Sequence, residues 1–183
     1  MHRAITMIKI RLQILMILLL LILSAPAFSQ DRALMMKAAF IAKFAQFTEW
    51  PNTNEGSSHN EFIITVIGND PIHSVLQQIS KTKRVKNRTI VIRNISKPCD
   101  IKNPHVLYIT KSMAPQLNMI LEQVRGRSVM TISDTKGFGH TGVLINFYIT
   151  DRGTLHFEIN STVLKQTSLK INLLLLEIAR VIR

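Results

Sequence analysis

Apolar residues recur at three- and four-residue steps through Leu34, Met35, Ala38, Ile41, Ala42 and Ala45, a period that predicts a helix with Asp31 as its cap. Met36, Ala39, Phe40, Phe44 and Phe47 add apolar side chains on its other faces, so this helix needs cover on more than one side. Trp50-Pro51 stops it, because the residue before proline is driven to extended geometry. A polar run over 52–60 follows and reads as a loop.

Beyond residue 61 the pattern becomes short β-rich runs separated by helical stretches. Strands are expected over 62–67, 89–93, 105–110 and 128–133, with helices through Ile72, Val75, Leu76 and Ile79 and through Leu117, Ile120, Leu121 and Val124. Strands alternating with helices of this length imply parallel pairing. Residues 142–150 and 154–159 flank Asp151-Arg152-Gly153, a tight-turn signal that makes an antiparallel hairpin. Residues 162–183 read as a closing helix, apolar on nearly all sides and therefore expected to be buried in the domain or in an oligomer. The expected fold class is α/β: a mostly parallel central sheet flanked by helices, with an antiparallel C-terminal hairpin and a closing C-terminal helix.

The N-terminus changes the picture of where this domain works. Arg3, Lys9 and Arg11 precede an apolar core over 12–23, and Ser24, Ala25, Ala27 and Ser29 supply small residues at signal-peptidase spacing. Residues 1–29 are expected to be a cleaved signal peptide, with cleavage after Ala27 or Ser29; the apolar core is shorter than the roughly 20 residues of a membrane span. Residues 30–183 then make a single domain, exported.

The whole chain carries +12, and residues 30–183 carry twenty Lys and Arg less eleven acids, +9. Export argues against nucleic acid as the partner of this charge and leaves anionic lipid, an acidic protein surface, or solubility alone. Five cations, Lys81, Lys83, Arg84, Lys86 and Arg88, crowd into eight positions, expected as a solvated loop or a docking patch. Cys99 is the sole cysteine, which excludes an internal disulfide; it is expected to be buried, with a redox thiol as the alternative.

Candidate chemistry is sparse. Gly137-Phe138-Gly139-His140-Thr141-Gly142 matches a dinucleotide fingerprint by letter, but its glycines run into strand composition rather than a helix, and a loop beside an edge strand is the expectation. Gly68-Asn69-Asp70-Pro71 sits where a strand feeds a helix, a place for a small anion, though Asp70 or Asn69 as cap with Pro71 in the first turn explains the same residues. Histidines 59, 73, 105, 140 and 156 show no metal-ligand spacing, and no nucleophile motif surrounds Cys99 or any serine. The sequons at Asn87, Asn94 and Asn160 matter only in a glycosylating host. No cofactor and no catalysis are expected.

Several segments, taken together, resemble the YfiR family of bacterial periplasmic proteins. They are Lys37 to Ile41 with Phe44, Phe47 and Thr48-Glu49-Trp50-Pro51; Val66-Ile67-Gly68-Asn69-Asp70-Pro71; Cys99 before Val106-Leu107-Tyr108-Ile109; Thr131-Ile132-Ser133-Asp134 with Gly137-Phe138; Phe157-Glu158-Ile159-Asn160; and the leucine-rich end. The resemblance implies a periplasmic regulator, acting as a homodimer, that binds the periplasmic sensor region of a membrane diguanylate cyclase and holds it inactive. When released, the cyclase makes cyclic di-GMP and favours biofilm formation. The single Cys99 departs from the disulfide-tuned control of that family. The residues assigned to partner binding are Phe138, Gly139, His140, Thr141, Glu158, Asn160 and Leu164, with Glu158 and Asn160 equally readable as a polar pair capping the closing helix. A periplasmic sensor of a small ligand, working with another membrane partner, is the alternative, and a hydrolase with an unrecognised site is a third class.

Overall fold

The computed structural model describes residues 27–51 and 60–183, with the single positions 11, 13 and 16. The expected signal peptide falls almost wholly outside the described residues, as does nearly all of the polar loop after Pro51. Residues 1–34 and 35–183 form separate compact units, and of the first the continuous described part is helical.

Helix α1 (Ala27–Gln46) runs into the two-residue strand β1 (Thr48–Glu49). There follow β2 (Glu61–Ile67), α2 (Ile72–Thr82), β3 (Arg84–Val85), β4 (Arg88–Ile95), β5 (Val106–Ile109), α3 (Leu117–Val124) and β6 (Met130–Ser133). The last third holds the short helix α4 (Phe138–Thr141), β7 (Ile145–Ile149), β8 (Leu155–Asn160), α5 (Ser161–Lys165), β9 (Lys170–Ile171), α6 (Leu173–Ile178) and β10 (Arg180–Ile182). Short 3-10 helices at Pro98–Asp100 and Lys111–Gln116 precede β5 and α3.

Eight strands make one sheet in the order β10-β8-β7-β6-β5-β2-β4-β3. The interior run from β4 to β7 is parallel, as the strand and helix alternation requires, and β10 lies parallel to β8. Within this sheet, among the described residues, the β3–β4 and β7–β8 pairs are the antiparallel ones. The expected C-terminal hairpin is there: Thr150 N and Thr154 O close it at 2.9 Å, and Gly153 supplies the left-handed residue at φ 74°.

Both faces of the parallel core are covered, which is why β5 and β6 are buried at every position, Thr131 and Ser133 of β6 included. On one face Ile67, Leu107 and Ile109 pack with Leu117, Ile120 and Val124 of α3. Elsewhere α1 sets Ala38, Ile41, Phe44 and Ala45 at full burial. Phe44 meets Phe157 edge-on at 4.7 Å and stacks on Phe147 at 5.7 Å, so the part of α1 around Phe44 lies over the β7–β8 hairpin. Truncating so enclosed a ring costs about 3–5 kcal/mol. The other side of α1 leaves Met35 and Met36 half exposed, as is Phe47 just past its end. A second, two-stranded ladder joins β1 to β9, and Asn172 N donates to Phe47 O at 2.9 Å beside it.

Five expectations change. Helix α1 begins at Ala27, so Asp31 lies inside it rather than capping it, and it ends at Gln46, ahead of Trp50-Pro51. Cys99 is exposed, because the 3-10 turn buries Pro98 and points the next residue outward. The Gly137–Gly142 segment is a helical turn leading to β7, and β7 lies inside the sheet between β6 and β8 rather than at an edge. The closing helix is shorter than 162–183: Asn160 and Asn172 each cap a brief helix with a side-chain oxygen, and the chain finishes as a strand. Its apolar surface is not enclosed, for Leu173, Leu174, Ile178 and Val181 are more than half exposed. The basic run is ordered as the end of α2 and the β3–β4 hairpin, with Lys86 and Asn87 at positive φ making the turn.

Candidate functional site

Strand β8 ends in Glu158 and Asn160, both buried, and β-strand alternation sets them on one face of the sheet. The helical turn α4 lies against that face. Asn160 Nδ2 donates to the Gly139 carbonyl at 2.9 Å, while its Oδ1 accepts from Val163 N at 2.9 Å and starts α5. Gly139 is required by contact: a Cβ there would lie 2.6 Å from Glu158 Oε1 and 3.0 Å from Ile182 Cδ1.

Glu158 is held from two sides. Asn146 Nδ2 of the neighbouring strand β7 donates to Oε1 at 3.2 Å. Arg180 of β10 stands opposite Glu158 in the strand register and forms an ion pair with Oε2. The same guanidinium covers the Tyr148 ring at 4.0 Å from its centroid, and the carboxylate raises the Arg180 pKa. A cavity of about 460 Å³ opens here, lined by Lys136, His140, Asn146, Tyr148, Glu158 and Arg180. Asn146 Oδ1 is buried and accepts no hydrogen bond from the described residues. Ile149, also on the cavity wall, is more than half exposed, as are Ile178 of α6 and Val181 of β10.

The structure thus gathers Phe138, Gly139, His140, Glu158 and Asn160 into one corner, but not as seven equal contact residues. Phe138 is sunk in the core beside Val143 and α3. Gly139 and Asn160 are buried parts of the corner's frame, and the capping reading of Asn160 is met by its bond to Val163. His140 and Thr141 are exposed, while Leu164 lies half-buried on α5 and does not line the cavity. Sequence reasoning missed Arg180, Asn146 and Tyr148. The helix assigned across 162–183 hid the strand that brings Arg180 to Glu158, and the three residues Arg180-Val181-Ile182 are too few to show a strand period.

The strand-to-helix turn after β2 offers a contrast. Asp70 Oδ1 accepts from Ile72 N at 2.8 Å, so the cap reading holds there. Gly68, at φ 98°, packs so closely that a Cβ would lie 2.1 Å from Thr110 Oγ1, and Asn69 N donates to Ser112 Oγ at 3.2 Å. Protein side chains fill the crevice at the strand ends. Nearby, Lys37 of α1 donates to Asp134 at 2.5 Å. Burial, then the Asp134 charge, raise the Asp70 carboxyl pKa against the lowering by Ile72 N–H and Lys37, and burial ahead of the two carboxylates raises Tyr108. His105 is wholly buried, stacked on Phe62 at 4.6 Å, with Nδ1 accepting from Ile63 N at 3.0 Å and Arg88 Nη1 at 3.2 Å from Nε2. Burial, with the Arg88 charge second, lowers its pKa to about 4. Among the described residues no three His, Cys, Asp or Glu side chains converge as metal ligands, and no helix is long and apolar enough to cross a membrane.

The YfiR/HmsC-like family model matches residues 35–180. No curated protein matches the chain in sequence.

Proposed function

Because the chain belongs to the YfiR/HmsC-like family, we propose that it is a periplasmic regulator of diguanylate cyclase signalling that binds the periplasmic sensor region of a membrane cyclase and holds the enzyme inactive. Repression by binding requires differential affinity for one state of the partner and no bond chemistry. The observation that carries the reading is the corner at β8 and β10. There a polar cavity built on Glu158, Arg180 and Asn146 has the exposed Ile149 in its wall, a polar and apolar mixture of the kind protein interfaces use. His140 lines it, Thr141 is exposed on the same helical turn, and Phe138, Gly139 and Asn160 hold that turn in place.

Export through a cleaved leader over 1–29 and a homodimer belong to the same proposal. The exposed Leu173, Leu174 and Val181 supply apolar area for a second copy. Sequencing the N-terminus of protein released from the periplasm tests the first; light scattering tests the second. The central experiment pairs deletion of the gene with binding of the purified protein to the cyclase's sensor region. Higher cyclic di-GMP and measurable binding are expected. Unchanged nucleotide in a strain that expresses the cyclase, with no binding, overturns the proposal.

One observation favours a second reading, a periplasmic sensor of a small ligand. Asn146 Oδ1 is a buried acceptor beside a cavity of about 460 Å³, and a hydroxyl or amine could donate to it. Thermal shift against small polar metabolites separates the two, since a ligand of the native state raises apparent stability.

A further inference from the structure

Positive charge is unevenly placed in this fold. Residues 71–99, which build α2, β3 and β4, hold seven Lys and Arg and no acid, against twenty and eleven over residues 30–183. Seven of the net +9 therefore sit in this segment, five of them between Lys81 and Arg88 at the β3 edge of the sheet, and +2 is spread over the rest. Lys81, Lys83, Arg84 and Lys86 are exposed, Arg88 is half-buried, and none of the seven is ion-paired among the described residues. Glu49 and Glu61 border the patch. Lys86 Nζ donates to Thr48 O at 2.7 Å and Arg88 reaches His105, so two of the cations are tied to the frame and hold the hairpin in place.

The chemistry of the edge separates two kinds of anionic partner. Its apolar residues Val85 and Ile90 are buried, and what faces outward at 81–89 is Lys, Arg, Thr and Asn. The centre of a protein interface is depleted in lysine and built on apolar or aromatic anchors, which this edge does not present. A row of flexible cations without an anchor suits a diffuse layer of negative charge, such as anionic headgroups. The exposed apolar corner at β10 lies at the opposite end of the sheet, seven strand spacings or roughly 34 Å away. Both ends are therefore free to be used together.

We infer that the β3–β4 edge is an electrostatic docking surface for the anionic lipid headgroups of a membrane, leaving the β8–β10 corner open to the protein partner. Choosing lipid draws on the proposed place beside a membrane cyclase; the assay does not. Protein recovered from the cell envelope, its N-terminus sequenced, is sedimented with vesicles of phosphatidylglycerol and phosphatidylethanolamine and with vesicles of phosphatidylcholine, at about 0.1 M salt. Binding to the anionic vesicles alone is expected. Each Lys or Arg near such a surface changes partitioning about fivefold, so K81Q/K83Q/R84Q should weaken it about 100-fold. The charge-matched variant K102Q/R152Q/K165Q, also altered only at exposed positions, should weaken it far less. Equal binding to both lipids, equal loss in both variants, or no binding to anionic vesicles overturns the inference. Loss of sensor-region binding in K81Q/K83Q/R84Q without vesicle binding assigns the edge to an acidic protein and also overturns it. Sensor-region binding by the unaltered protein is measured separately, so failure of the lipid assay and failure of the proposed regulation are distinct results.

Discussion

Glu158 and Arg180 face one another across the parallel β8–β10 ladder, a buried carboxylate neutralised by a guanidinium whose own side chain is half in solvent. Breaking the pair from the Arg180 side strands the Glu158 charge with Asn146 as its remaining partner. R180A is expected to cost about 1–3 kcal/mol, below the range for a fully enclosed pair because solvent screens the guanidinium. In an E158Q background the same change should cost under about 1 kcal/mol. Urea melts of the four proteins give the coupling, and strictly additive effects would show that the pair holds nothing.

The glycines rank by what surrounds them. G68A meets Thr110 Oγ1 at 2.1 Å and Ser112 Oγ at 2.6 Å in a left-handed backbone, and G139A meets the movable ends of Glu158 and Ile182. Gly153 has positive φ but open space. Losses on the order of 3 kcal/mol or more, about 1–3, and about 1 kcal/mol are expected for G68A, G139A and G153A in that order. Thermal melts that reversed the order would contradict the packing described at either turn.

His105 makes stability depend on acid. Its folded pKa of about 4 lies below the ordinary histidine value of 6.5. The unfolded chain therefore binds the extra proton first. The stabilisation is fully present above pH 6.5 and is lost as the pH falls from there toward 4, by an amount on the order of 2–3 kcal/mol. Denaturation across that range should show the decline. H105F should flatten it, while costing about 1–3 kcal/mol at pH 7.5 because Ile63 N–H loses its acceptor.

Cys99 should react as a surface thiol. Native protein is expected to take up a thiol reagent without denaturant, and C99S should change stability by no more than about 0.5 kcal/mol. Protection of the thiol until unfolding would mean that it is covered, for example by a second copy.

The parallel sheet was legible because β2, β4, β5 and β6 each carry enough consecutive apolar or β-branched residues to announce themselves, and the Asp151-Arg152-Gly153 turn located the hairpin. What was hidden is short. Strands β1, β3, β9 and β10 have two or three residues each, too few for a period to register, and they exist because a neighbour supplies hydrogen bonds. Leu173 to Arg183 has helical composition; the Asn172 cap starts a helix there, and pairing of Arg180–Ile182 to β8 overrides the composition beyond Ile178. Half of the candidate corner followed from this: Glu158 and Asn160 were visible as polar residues ending an apolar strand, whereas Arg180 could be placed only once its strand was known. Cys99 misled because thiols are usually buried, and the Pro98 turn decides otherwise.

The small β1–β9 ladder, with the Asn172 to Phe47 bond beside it, ties the exit of α1 to the approach to α6. Few hydrogen bonds hold it and most of the chain intervenes between its halves, so it is among the first contacts that fluctuation would undo. Once it parts, both flanking segments lose their tether in the same event. Whatever grips one of them from outside therefore pulls on a latch shared with the other.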